Sequence, residues 1–93
     1  MANIRDLKKD VKHMIHHLIQ EGYVQLAYSP PLHQENVLDI ISDAMVLEKE
    51  TINKINHPNV DVSNGLNEYY KIITNDFYDK VVELTERLNS LSY

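Results

Sequence analysis

The chain has no cysteine, no tryptophan, two glycines and a single phenylalanine in 93 residues. Each shortage removes a class of chemistry. Without cysteine there is no disulfide, no thiolate nucleophile and no thiolate metal site. With glycine only at positions 22 and 65, no glycine-rich loop exists to cradle a phosphate. Apolar runs are also short. Met14-Ile15 is broken by His16-His17 before Leu18-Ile19, so neither a signal peptide nor the roughly 20 apolar residues of a membrane span is visible. A secreted domain this small usually carries disulfides, and the expected setting is the cytoplasm. No His-Glu-x-x-His or Glu-x-x-His pattern occurs, which removes the zincin and di-iron carboxylate signatures. No nucleophile, base and orienting group can be assembled from the sequence, and no cofactor is expected.

What is present is charge and regular apolar spacing. The net charge is −5, with 43% hydrophobic and 25% charged residues, ordinary for one globular domain over 1–93. The sign is uneven. Residues 1–20 carry Arg5, Lys8, Lys9 and Lys12 against Asp6 and Asp10, whereas the rest of the chain carries five cations against twelve carboxylates. An acidic chain repels the phosphate backbone, so nucleic acid is not an expected partner. The basic flank of the first helix lacks the bulky apolar border of a membrane-surface helix. It is expected to pair with an acidic neighbour inside the bundle.

Three amphipathic segments follow. Ile4, Leu7, Val11, Met14, Ile15, Leu18, Gly22 and Leu26 fall at helical spacing, which predicts a first helix from about Ile4 to about Tyr28. Asn3 is placed to cap it and Asp6 to meet its positive end. Gly22 either lies within a continuous helix, the reading preferred because the stripe continues through Leu26, or ends it early. Ser29-Pro30-Pro31 is the clearest break, since the residue before a proline is pushed out of the helical region. Ser29 is a candidate cap for the next helix with Pro30 in its first turn; a start near His33 is the alternative. The second helix is predicted to run to about Asn56, stopped by Pro58. Its stripe is Val37, Ile41, Ala44, Met45, Glu48, Ile52 and Ile55, with Leu38 on one flank and Ile40 and Leu47 on the other. Residues 58–65 read as a loop, with Ser63 or Asn64 as the cap of helix three. Leu66, Tyr70, Ile73, Phe77, Val81, Leu84, Leu88 and Leu91 then step by four and three, like the seam of a left-handed bundle. Short connections make neighbours antiparallel. The expected fold is all-α, an up-down-up bundle of three long antiparallel helices.

Several constellations could carry function. His13 and His17 stand four apart, so their imidazoles lie one turn apart and could share a metal ion. The pattern is short, and a solvated helix face explains it as well. Asp76, Asp79, Glu83 and Glu86 form an acidic row that could dock a basic partner or, with a facing pair such as Asp39 and Asp43, a divalent cation; a solvated face is again the simpler account. His57 suits the negative end of the second helix. Six of the seven aromatics are tyrosines, a residue type enriched at interfaces. The apolar surplus at Ile40 and Leu47, extended by Tyr69, is the candidate partner-binding patch. The expected function is a non-enzymatic interaction or regulatory module that binds a protein partner or itself. The alternative is a metal-binding helical protein that uses His13 and His17 for sensing or small hydrolase chemistry.

Overall fold

A computed structural model describes residues 4–57 and 65–91. It contains three helices: α1 spans Ile4–Tyr28, α2 Pro31–Asn56 and α3 Leu66–Ser90. At 1.5 Å per residue each is about 38 Å long. The direction of each follows from cross-helix hydrogen bonds. The Gln25 side chain donates to the Leu88 carbonyl at 2.9 Å, so α1 and α3 end at the same end of the bundle. The Tyr70 hydroxyl donates to the Ile55 carbonyl at 3.2 Å, which sets the start of α3 beside the end of α2. The result is the up-down-up bundle of antiparallel neighbours. No helix among the described residues is long and apolar enough to cross a membrane.

The first turn is built from the residues that break the helix. The Ser29 hydroxyl donates to the Gln25 carbonyl at 2.7 Å, and its amide reaches the Leu26 carbonyl at 3.3 Å. Ser29 thus closes α1, and it is buried. The N-cap of α2 is Pro30, extended at φ −64° and ψ 156°, with Pro31 opening the helix. Proline suits that position because its missing N–H would be unpaired there in any case. Of the two starts the sequence left open, Ser29 as cap or a start near His33, the observed start lies one residue beyond the first and short of the second. At the far end the His57 amide donates to the Asn53 carbonyl. The N-cap of α3 is Gly65; Ser63 and Asn64, the caps the sequence offered, lie outside the described residues. Asn3, the loop residues 58–64 and the side chain of Leu66 lie outside the described residues.

Helix α1 is continuous through Gly22, and the Ile41 side chain packed directly on the α1 backbone explains the glycine. A Cβ at Gly22 would lie 2.7 Å from Cγ1 of Ile41 and 3.1 Å from its Cδ1. The residue lets α1 and α2 pack closely where a larger one would hold them apart. Gly22→Ala sets two effects against each other. Alanine is favoured by about 1 kcal/mol in a helix interior, and forcing a methyl into a filled contact costs about 1–3 kcal/mol. The expected net is a loss of about 1 kcal/mol, read as a melting temperature lowered by several degrees. A rise in melting temperature would show that Ile41 yields freely.

The core is one cluster centred on Val11, Ile15 and Leu18 of α1, Val37, Ile41, Ala44 and Ile55 of α2, and Ile73, Phe77, Leu84 and Leu88 of α3. The α3 stripe is buried as its spacing predicts from Ile73 through Leu88, with Tyr70 and Leu91 half-buried against it. On α2, Val37, Ile41, Ala44 and Ile55 of the predicted stripe are buried too, but the edges of the buried arc are not where the spacing set them. Ile40 and Leu47, placed by sequence on a flank, are 3% and 7% exposed and belong to the core, whereas Met45, placed on the stripe, is 48% exposed. The buried arc of α2 is rotated toward Ile40, Leu47 and Thr51 because α3 covers that side.

Candidate functional site

Each face of the bundle is a candidate site, and the helices decide what each presents. Between α1 and α3, which pack least extensively against each other, lies an open groove of about 390 Å³ lined by His13, Met14, His17, Leu18, Glu21, Val81 and Thr85. Its floor is apolar and its rim carries the two histidines. His17 Nε2 lies 3.1 Å from Glu21 Oε1, one turn further along the same helix. His13 and His17 are both exposed. Among the described residues no three His, Cys, Asp or Glu side chains gather as a metal-holding group, so the pair has no converging third ligand of these types there.

Between α2 and α3 the surface is charged. Arg87 Nη1 reaches Asp43 Oδ2 at 2.9 Å and ties the two helices together. That bond occupies one carboxylate of the Asp39 and Asp43 pair, which sequence had offered as the second half of a cation site. Asp76 is engaged by Lys80 within α3 at 3.2 Å. Asp79, Glu83 and Glu86 are exposed and join no ion pair among the described residues. They share one side of α3 by their spacing of four and three. Glu83 lines the shallow depression shared with α2, alongside Lys80, Leu84 and Arg87, which sets the row on the flank away from α1.

The third face, between α1 and α2 and turned away from α3, differs from both. Met14, Leu18 and Gln25 of α1 are directed at α3. Ile19 and Tyr23, on the opposite flank by helical phase, therefore border this face. On α2, Leu38, Met45 and Ile52 repeat every seven residues on the flank opposite Ile40 and Leu47. Leu38 is 49% exposed, Met45 48% and Tyr23 51%, while Ile19 and Ile52 are half-buried against the core. Arg5 and Lys12 continue the same flank of α1, and together with Lys8, Lys9, His13 and His16 they surround an open depression of about 640 Å³. None of the four Lys and Arg side chains forms an ion pair among the described residues. The expected pairing with an acidic neighbour inside the bundle is absent, because the flank they occupy faces outward and the acidic row of α3 lies on another face.

The sequence-derived patch is thus taken apart. Ile40 and Leu47 are interior. Tyr69 is half-buried, donates its hydroxyl to the Lys54 carbonyl at 3.3 Å, and stands 5.9 Å from the Tyr70 ring at an interplanar angle of 59°. It pins the start of α3 to the end of α2. The partly open apolar stripe lies instead at Leu38 and Met45, which are exposed, and Ile52, which is half-buried. Its signal in the sequence is the sevenfold repeat, which reads equally well as core. No protein-family model, curated protein or solved structure matches this chain.

Proposed function

We propose that this chain is a non-enzymatic helical interaction module that offers the open α1–α2 face to a protein partner. The observation that carries the reading is the second apolar stripe of α2, left half-exposed at Leu38 and Met45 although a full core has already formed on the other flank. Half-exposed side chains in a row, bordered by Tyr23 and followed past the Ile52 end by cations with no internal counter-charge, match the apolar centre and polar rim of docking surfaces. A place in the cytoplasm fits the same reading, because an interaction surface in a cysteine-free bundle needs no oxidising compartment.

A photo-reactive residue at Ser42, between Leu38 and Met45 on the same flank, tests the reading in the expressing cell. It is expected to cross-link a protein when the stripe is intact and to lose it in Leu38→Glu/Met45→Glu. Circular dichroism should show the double variant still folded, since both positions are half-exposed. Equal cross-linking with and without the stripe would sink the proposal, as would none in either.

A further inference from the structure

We propose that the partner for this face is a second copy of the chain, joined head to tail, with the basic flank of α1 in one copy lying along the acidic row of α3 in the next. The inference rests on the interaction reading above and names its occupant. Two rows of matched rhythm carry it. Arg5, Lys9 and Lys12 are spaced four and three on α1, and Asp79, Glu83 and Glu86 are spaced four and three on α3. Each row spans about 10 Å at 1.5 Å per residue, so three cations meet three carboxylates in one register. All six residues are exposed, and none is in an ion pair among the described residues.

Apolar surface accompanies both rows. Gly22 lies against Ile41 and the two helices are antiparallel, so Lys12, ten residues before Gly22, is level with the Ile52 end of the stripe that continues to Met45 and Leu38. Seven residues before Asp79, on the same side of α3, stands Ile72, 63% exposed. The acidic face therefore brings an apolar side chain to the contact along with its charge. The two faces belong to different sides of the bundle, so they cannot meet inside one copy. A contact between unlike faces is heterologous, and each copy then gives its basic face once and its acidic face once. The net charge of −5 opposes assembly at long range, but at about 0.1 M salt the screening length is about 10 Å and the matched rows act at contact distance.

Sedimentation equilibrium with charge-swapped variants tests this. The wild type should exceed its 10.9 kDa monomer mass with rising concentration at about 0.1 M salt, and should return toward it near 1 M, where screening reaches about 3 Å. Lys9→Glu/Lys12→Glu and Glu83→Lys/Glu86→Lys should each weaken self-association at least about tenfold, because attraction becomes like-charge contact. Mixed in equal amounts, the two variants should associate again, since each reversed row then faces its opposite. A monomeric wild type at every concentration, or a mixture no heavier than its components, overturns the second copy as occupant. If the Ser42 cross-link still captures a different protein in that case, the interaction reading survives and only its partner changes. If both experiments fail, the open face has no docking role.

Discussion

Phe77→Ala is expected to cost about 3–5 kcal/mol, the range for removing a large aromatic side chain from a packed core. Phe77 is 3% exposed, sits at the middle of α3 and is the only phenylalanine in the chain. Its ring stands 6.0 Å from that of Tyr78, so truncation also removes an aromatic neighbour. A domain of this length buries only a modest fraction of its surface, and total stability of roughly 5–15 kcal/mol is the usual scale. The variant should therefore melt more than about 10 °C below the wild type, given a shift of about 4–8 °C per kcal/mol for domains of this size. Thermal unfolding followed by circular dichroism reads it directly. A melting temperature within a few degrees of wild type would mean that the phase of α3 is not the one described.

The second large effect separates the two flanks of α2. Leu47→Ala is expected to lose about 2–5 kcal/mol through lost burial and the cavity left behind. Met45→Ala, two residues away on the same helix, should lose less than about 1 kcal/mol, because half of Met45 is already in water and surface changes seldom cost more. Urea unfolding of both variants gives the comparison without assuming a value for the wild type, provided the slopes agree. Equal losses would mean that the buried arc of α2 is centred where its sequence stripe suggested. A larger loss at Met45 would reverse the assignment of core and docking face, and with it the proposed function.

The charged rows and the tyrosines show why the candidate site was only partly legible. The tetrad of surface charges Arg5, Lys8, Lys9 and Lys12 could be read from spacing alone, as could the acidic row of α3. Their failure to pair with each other could not, since that depends on which face of each helix meets which neighbour. Tyr69 illustrates the same limit at one residue. Its type suggested an interface, and its position beside the open end of α2 gives its hydroxyl the Lys54 carbonyl instead. Tyr70, one position along, makes the parallel bond to Ile55, and the pair together uses up carbonyls that the end of α2 leaves without an intrahelical partner.

Sequence by itself determined the number of helices, the ends of α1 and α2 to within about two residues, and the buried phase of α3. Those follow from local physics. Pro30 and Pro31 cannot continue α1, and the four-three spacing from Ile73 to Leu88 permits only one apolar face. Only tertiary structure decided the edges of the buried arc of α2, whose centre at Val37, Ile41, Ala44 and Ile55 was legible from spacing. That helix carries two apolar flanks, Ile40 with Leu47 and Leu38 with Met45 and Ile52, each spaced by sevens and each wide enough to pack. Which one is buried depends on whether the third helix closes on one side of the α1–α2 pair or the other. Hydrophobic burial is non-directional, so neither flank announces its neighbour in the sequence. Contact with α3, through Arg87 and Asp43 and through Leu84 beside Leu47, selects the first flank and leaves the second open to a partner.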